Sequence, residues 1–168
     1  MGRAALEGDL DRPVLDLGAG TGVLAVGAAL RGARAVGVEA DPGALAVAVE
    51  NAAAAGVAVE WVLGDATRAP LCPPDPVTVL MNPPFGAQDG NEGADARFLR
   101  TAAGLAAVSY SVHNAGSRGF VEAFADDHGG AVTHAFTATV SLDRRFPFHE
   151  ADSRDIEVEV FRIEWTPE

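Results

Sequence analysis

The sequence predicts an α/β fold, in which a mostly parallel sheet carries helices on both faces and ends in an antiparallel strand. Three observations support this prediction. Short apolar runs alternate with Ala-rich helical patterns through most of the chain, and repeated strand–helix units imply parallel strands. A glycine turn, GAGTG, follows the first apolar run. The last two apolar runs alternate with a period of two and have no helix between them, which predicts an antiparallel pair.

The first four predicted strands are short apolar runs, each ending beside a glycine, an acid or an Asn. They span residues 13–17, 34–39, 57–63 and 77–81. Two Ala-rich helices lie between the first three strands: residues 23–30, which stop before Gly32, and residues 42–55, which begin at Pro42 and stop before Gly56. Proline in the first turn of a helix and glycine after its end are the expected asymmetry.

The second half of the chain predicts two more helices and three more strands. Residues 95–107 and 117–127 are expected to be helical, with residues 108–113 as a strand between them. Residues 131–140 and 156–165 alternate as strands, and the long segment between them is expected to be functional rather than a simple turn. Because the chain has no repeat or linker, residues 1–168 are expected to form a single domain.

Composition restricts the class of protein. The 168 residues are 48% hydrophobic with a mean hydropathy of +0.13, which suits one globular domain. No apolar run approaches the roughly 20 residues of a membrane span. The single cysteine, Cys72, excludes an internal disulfide and favours a reducing, cytoplasmic location. The four scattered histidines do not have the spacing of metal ligands, so we predict no metal site.

The charge is strongly acidic. The chain has 24 Asp and Glu residues against 12 cations, all of them Arg, for a net charge of −12. We expect a halophilic archaeon as the source, because at molar salt the screening length is only about 3 Å and the charges repel little. A highly acidic surface facing a partner is the alternative. Such a surface opposes non-specific nucleic-acid binding but allows binding at a local site.

Three acids, Asp16, Glu39 and Asp65, stand at the ends of successive strands around the glycine turn. The glycines alternate and do not match the dinucleotide pattern G-x-G-x-x-G. Glu39 follows the turn by about 20 residues, as ribose-binding acids do. An acidic pocket suits an adenosine ligand with a positive group, which is S-adenosylmethionine, although each acid alone could be a helix cap. The predicted cofactor-binding residues are Asp16, Gly18, Gly20, Thr21, Gly22, Glu39, Ala40, Asp65 and Ala66.

The stiff loop that follows the fourth strand predicts the catalytic group. An amino group on adenine or on a glutamine amide is planar and a poor nucleophile, and two hydrogen-bond acceptors can favour its pyramidal form. Asn82 offers a side-chain carbonyl and Pro83 a backbone carbonyl. Pro84 keeps the turn rigid, and Phe85 offers a ring on which a planar group can stack.

These motifs resemble those of class I methyltransferases with an N-P-P-[FYW] signature. The chain is most similar to the archaeal and eukaryotic methyltransferase-like enzymes that N6-methylate an adenosine of small-subunit ribosomal RNA. The resemblance implies a Rossmann-like, seven-stranded fold, with Asp16 and the glycines at the methionine part of the cofactor, Glu39 at the ribose and Asp65 at the adenine. It rests on DLGAGTGVLAVGAAL, VGVEAD, MNPPFG, ADARFL, YSVH and FPFHEADSRDIEVEVFRIEW.

The same resemblance directs attention to two segments, the one before the first strand and the loop before the last strand. Relatives carry a segment before the first strand that helps to close the site, and here it is expected to be short or missing. The long loop before the last strand concentrates cations and aromatic rings that suit phosphate and base contacts, although a solvated hairpin is equally compatible. The predicted substrate-binding residues are Arg144, Arg145, Phe146, Phe148 and His149.

Other functions and a partner stay open. A glutamine methyltransferase acting on a translation release factor shares the acceptor chemistry but usually has N-P-P-Y, and a non-catalytic methyltransferase-like subunit is a further alternative. Val57, Val59 and Trp61 alternate on a strand expected at the sheet edge. Relatives bind a small zinc-binding activator protein there, and the resemblance implies the same, unless the second helix and the core already bury these residues.

Overall fold

The computed structural model describes residues 1–84, 93–142 and 154–166. None of the helices within these ranges is long and apolar enough to cross a membrane. Two short 3₁₀ turns span Asp9–Asp11 and Ala66–Arg68. The other elements, in chain order, are α1 (Gly2–Leu6), β1 (Val14–Leu17), α2 (Val23–Ala29), β2 (Ala35–Glu39), α3 (Pro42–Ala54), β3 (Val59–Leu63), β4 (Val77–Met81), α4 (Ala94–Leu105), β5 (Ala106–Asn114), α5 (Arg118–Asp127), β6 (Gly130–Leu142) and β7 (Arg154–Trp165).

All predicted strands and helices are confirmed, with boundaries within two residues of the prediction. The expected helix over residues 95–107 ends too late, because α4 stops at Leu105 and β5 begins at once. Ala106 is extended, with φ −98° and ψ 144°, and pairs with Val77 of β4. Pairing in the sheet therefore overrides the helical preference of alanine at the end of this Ala-rich stretch.

The predicted seven-stranded, mostly parallel sheet is also confirmed, with the strand order β3-β2-β1-β4-β5-β7-β6. Leu17 at the end of β1 pairs with Val38 of β2 on one side and with Met81 of β4 on the other. The chain moves outward from β1 to β3 and then returns to β4. Ligands of such sheets bind at the carboxyl edge where the direction of winding reverses, which is here between β1 and β4.

Helices cover both faces of the sheet, as predicted. Alternate residues of β1 point to opposite faces, so that Val14 joins the cluster formed with α1 and α2, whereas Leu15 and Leu17 join the cluster formed with α4 and α5. The α1/α2 cluster is rich in alanine, and Ala25 and Ala28 are fully buried against the strands. Small side chains allow α2 to lie close to the sheet, directly behind the glycine turn.

The last strand in the sequence, β7, runs antiparallel to both β5 and β6, which confirms the predicted antiparallel end. Asn114, the last residue of β5, pairs with Val158, but the β6–β7 ladder continues to the pair Leu142 and Arg154. The β6–β7 ribbon therefore extends past β5 on the carboxyl side of the parallel strands. This is the edge at which the chain reverses its winding.

A buried ion pair ties the segment before β1 to the far side of the sheet. Asp9 accepts hydrogen bonds from Arg162 Nε at 2.8 Å, Arg162 Nη2 at 3.0 Å and the Tyr110 hydroxyl at 2.6 Å. The Asp9 backbone carbonyl accepts a further bond from Thr78 Oγ1 at 2.6 Å. Asp9 and Arg162 are 2% and 5% exposed. One residue thus connects the amino-terminal segment to β4, β5 and β7.

Candidate functional site

A crevice of about 480 Å³ opens at the carboxyl edge of the sheet, at the reversal point beside β1. It brings together residues from the ends of four successive strands, which is the arrangement that the sequence predicts. The predicted site residues that line it are Gly18, Glu39, Ala40, Asp65, Ala66, Asn82 and Pro84. Its volume lies within the range of roughly 300–1,000 Å³ that small-molecule sites occupy.

The glycine turn lies beside this crevice, and its Gly18 lines it. The backbone N–H groups of Gly18 and Ala19 both donate to the Val38 carbonyl, at 2.9 and 3.0 Å, which fixes the turn to β2. Gly18 has φ 70°, and a Cβ there would clash with the ring of Phe98. Gly20 has φ 54°, and a Cβ there would meet no atom within 4 Å. The space next to Gly20 is therefore open to a ligand.

Glu39 organises the backbone on both sides of the crevice. Its Oε2 accepts a hydrogen bond from the Gly20 N–H at 2.8 Å, across the gap between the glycine turn and β2. Its Oε1 accepts from the N–H groups of Ala40 and Asp41, both at 2.8 Å. The sequence predicts that Glu39 binds the ribose. The three hydrogen bonds that it accepts from backbone N–H groups are a second role, which sequence reasoning missed.

Asp16 is the buried acid of the site, with only 1% of its surface exposed. Its Oδ2 accepts a hydrogen bond from the Ala25 N–H at 2.9 Å, in the first turn of α2. Its Oδ1 is buried and accepts no hydrogen bond from the residues that the structure describes. Burial raises the pKa of Asp16 to about 7, the Ala25 bond opposes this rise, and the charge of Glu39 adds to it.

We expect Asp16 to make the ligand-free protein less stable as the pH rises. The folded-state pKa of about 7 lies above the ordinary value of 3.8, so the folded chain binds the extra proton between about pH 4 and pH 7. The free energy of unfolding should fall across this window by up to about 4 kcal/mol, relative to Asp16→Asn. Denaturant titrations at several pH values measure the difference. Asp75→Asn, at an exposed position, is the control and should follow the wild type; an Asp16→Asn curve parallel to wild type would contradict the expectation.

Asp65 caps the 3₁₀ turn that follows β3. Its Oδ1 accepts from the Thr67 N–H at 2.8 Å and from the Thr67 hydroxyl at 2.7 Å. These bonds, with a smaller contribution from the charges of Arg68 and Arg97, lower the pKa of Asp65. The cap and the predicted cofactor role are compatible, because both bonds from Thr67 reach the same oxygen and Asp65 lines the crevice.

The predicted catalytic loop begins at the edge of the crevice. Asn82 and Pro84 are exposed and line it, while Pro83 is buried between them. The rigid Pro83 is therefore held by the protein, and its neighbours face the open space. Phe85, the fourth predicted member of the loop, lies outside the described residues, as do Arg144, Arg145, Phe146, Phe148 and His149 of the predicted substrate loop.

Other predicted residues have a supporting place around the glycine turn. Gly22 has φ 84° and begins α2, and a Cβ there would clash with the indole of Trp61 and with Ala48. Thr21 is exposed, and its carbonyl accepts a bond from Asn51 Nδ2 at 2.9 Å. These residues anchor α2 to α3 and β3 rather than line the crevice.

The strand predicted to lie at the sheet edge, β3, does so. Val57, Val59 and Trp61 are half-buried, and Val59 and Trp61 pack against the α1/α2 cluster. The indole of Trp61 lies over Gly37 of β2, where a Cβ would clash with it. Trp61 is thus partly packed inside and partly exposed, whereas Leu63 at the end of β3 is 57% exposed.

Sequence reasoning missed four residues that line the crevice: Thr67, Ala94, Arg97 and Phe98. Three of them lie in the first two turns of α4, which begins after residues 85–92. The stretch ADARFL could have indicated the three residues on α4, because it starts this helix and its Phe98 packs against Gly18. Among the residues that the structure describes, no group of three His, Cys, Asp or Glu side chains is placed to hold a metal.

Comparisons with known proteins show the family to which the chain belongs. Residues 4–108 match the family described as the methyltransferase small domain. The chain is 34% identical over 167 residues to an uncharacterised protein of Methanocaldococcus jannaschii, covering 90% of this chain and 73% of that protein. It is 34% identical over 168 residues to the rRNA N(6)-adenosine-methyltransferase of Drosophila melanogaster, covering 95% and 75%. A crystal structure from Pyrococcus horikoshii, designated a candidate RNA methyltransferase, superposes with a TM-score of 0.82 at 37% identity, covering 98% and 80%.

Proposed function

Because the chain belongs to the methyltransferase small domain family, we propose that it transfers a methyl group from S-adenosylmethionine to N6 of an adenosine in RNA. Ribosomal RNA is the substrate that the similarity to the Drosophila melanogaster enzyme supports, since it extends over 95% of this chain. Residues 1–168 act as one methyltransferase domain in a cytoplasm, and the lysine-free acidic composition suits a salt-rich one.

One observation supports this proposal: a single crevice is lined both by residues expected to bind the cofactor and by the residue expected to activate the target amine. Glu39 and Asp65, the acids expected at the ribose and the adenine of the cofactor, line the same space as Asn82, the amide expected at the target amine. A site with the acids but without the amide acceptor would bind the cofactor but would not activate the nitrogen of a substrate. The juxtaposition therefore favours an enzyme over a non-catalytic subunit.

The residues around the glycine turn fit S-adenosylmethionine. The open space beside Gly20 allows a ligand to approach the backbone closely. Asp16 Oδ1 is a buried acceptor with no donor among the described parts of the chain, which suits the cationic methionine end of the cofactor. We propose that Asp16, Gly18 and Gly20 hold this end, Glu39 and Ala40 the ribose, and Asp65 and Ala66 the adenine. The bound cofactor supplies an electrophilic methyl group on a sulfonium.

The protein's own contribution is to activate and place the amine. The Asn82 side-chain carbonyl and the Pro83 backbone carbonyl accept hydrogen bonds from the two N–H groups of the adenine amino group. These bonds make the lone pair of the amino nitrogen available. Pro84 holds the turn, and Phe85 stacks on the base. The activated nitrogen would take the methyl group that the bound cofactor would supply, leaving the neutral thioether, and one N6 proton would pass to water.

Nucleoside analysis tests the proposed function. The purified chain is incubated at high salt with S-adenosylmethionine and small-subunit ribosomal RNA from a strain that lacks the gene. Mass spectrometry of the digested RNA should show new N6-methyladenosine. A parallel reaction with translation release factor tests the glutamine alternative. Methylation of the release factor with none of the RNA would overturn the assignment.

A partner at the sheet edge is a further part of the proposal. We propose that a small zinc-binding activator protein docks along β3, whose outer edge has no neighbouring strand among the described residues. Exposed strand edges of this kind are commonly covered or paired. Val59 and Trp61 pack inward from this edge, and Val57 just before it is half-buried. Exposed Leu63 is therefore the side chain that we expect to contact the partner.

We expect Leu63→Asp to weaken co-purification with the host's activator by at least about tenfold, because it places a charge in an apolar contact. Leu6→Asp changes an equally apolar residue, 82% exposed on α1, and should leave the complex intact. Both variants are co-expressed with the activator and compared by affinity purification. Trp61→Asp is unsuitable because the indole packs against Gly22 and Gly37. Equal recovery with Leu63→Asp would place the partner elsewhere.

A further inference from the structure

Three exposed arginines surround a hollow of about 740 Å³ beside the crevice. Arg68 ends the 3₁₀ turn after β3, and Arg97 and Arg100 lie three residues apart on α4 and therefore on one face of that helix. Asp65 and Thr67 complete the lining. We call this feature the arginine hollow.

The hollow carries a local excess of cations. The chain carries twice as many acids as cations, yet the described lining of the hollow has three arginines and one carboxylate. That carboxylate, Asp65, already accepts two bonds from Thr67.

The hollow adjoins the crevice that holds the proposed reaction. Asp65, Thr67 and Arg97 line both spaces. Arg97 therefore stands between the cofactor acids and the two outer arginines. The three arginines are therefore close to the crevice in which Asn82 would receive the target base.

We propose that the arginine hollow binds backbone phosphates of the RNA strand next to the target adenosine, an inference that rests on the proposed function. A guanidinium presents a planar fork of donors that matches a phosphate group, and it remains charged at any physiological pH. Contacts of this kind position a nucleic acid without reading its sequence. On a surface with a net charge of −12, a local excess of cations is what allows a polyanion to approach.

The proposal is tested by neutralising the two outer arginines together, Arg68→Gln with Arg100→Gln. Arg97 is left intact because it also lines the crevice. The matched control is Arg31→Gln with Arg34→Gln, which removes the same charge from two exposed arginines at the amino end of the sheet. Surface changes of this kind cost little stability, and thermal unfolding verifies that both double variants fold.

Binding is measured by fluorescence anisotropy with a labelled single-stranded RNA of mixed sequence, about 15 nucleotides long, over a series of salt concentrations. We expect the hollow variant to bind about tenfold more weakly at low salt. The slope of log affinity against log salt should become shallower by about 1.4, or about 0.7 for each lost phosphate contact. The control variant should match the wild type, and the cofactor affinity of all three proteins should agree.

Each result separates this inference from the proposed function. If the two double variants bind RNA alike, or if the wild type binds no RNA at low salt, the hollow is not an RNA site, whatever the methylation assay shows. If the wild type binds RNA through the hollow but forms no N6-methyladenosine, the proposed reaction fails and the hollow stands. A polyglutamate peptide that binds the wild type more tightly than the RNA, and loses this in the hollow variant, would assign the hollow to an acidic protein instead.

Discussion

Asn82→Ala is expected to lower methyl transfer by about 10²- to 10³-fold while the affinity for S-adenosylmethionine stays within about threefold of wild type. Loss of one preorganised polar group that acts mainly in the transition state typically has an effect of this size. The amine is planar in the bound substrate and becomes pyramidal only as the new bond forms. An acceptor that favours the pyramidal form therefore raises the rate more than it raises binding.

The measurement combines single-turnover methylation of ribosomal RNA with calorimetric titration of the cofactor. Asn114→Ala is the matched control, because Asn114 is also an exposed Asn at the carboxyl end of a strand, β5, but does not line the crevice. It should methylate at close to the wild-type rate. A variant Asn82→Ala that retains near-wild-type turnover would remove the amide from the proposed mechanism.

Asp9→Ala is expected to destabilise the protein by about 3–5 kcal/mol, the usual cost of leaving one partner of a buried ion pair alone. Arg162 would keep its bond to Glu164 Oε1 at 2.6 Å but lose both bonds to the Asp9 carboxylate. Tyr110 would lose its acceptor as well. Tyr110→Phe removes one hydrogen bond to the charged Asp9 carboxylate and leaves the ion pair in place, so it should cost less, about 1.5–3 kcal/mol.

Guanidinium chloride unfolding of the variants measures these costs, and a double variant gives the sharper test. Asp9→Leu with Arg162→Met replaces both charges by apolar groups and should recover most of the stability that Asp9→Ala loses. Glu60→Ala, which breaks an exposed pair with Arg34, should cost less than about 1 kcal/mol. If Asp9→Ala costs no more than Glu60→Ala, the buried pair is not what fixes the amino-terminal segment.

The contribution of the Asp9–Arg162 pair to the free energy of unfolding also depends on pH, and the pKa of Asp9 fixes the sign of this dependence. Burial alone would raise the pKa of Asp9, but the hydrogen bonds from Arg162 and Tyr110 outweigh it and lower the pKa below 3.8. A lowered pKa means that the contribution is present above about pH 4 and is lost as the pH falls through the folded-state value. Asp16 behaves in the opposite way, because burial without a cationic partner raises its pKa to about 7.

The amino-acid sequence by itself determined the helices and strands and their limits along the chain. The limits of β4, residues 77–81, follow from an apolar run closed by Pro76 and Asn82, and those of α3 from Pro42 and Gly56. These signals are local: they depend on the dihedral limits of proline and glycine and on a periodicity of two or 3.6 residues. Because parallel strands end at one edge, the positions of Glu39, Asp65 and Asn82 along the chain also placed them in one crevice.

Only the tertiary structure decided which side chains meet across long stretches of sequence. Asp9 and Arg162 are 153 residues apart and their pairing has no local signal, since it depends on the path of α1 over the sheet. Trp61 looked like a surface anchor at an edge strand, but two glycines in other elements leave room for its ring inside. The arginine hollow forms because a 3₁₀ turn and α4 pack together, so its charge belongs to no single motif. Such contacts are set by packing between distant elements, which a pattern along one strand or helix does not encode.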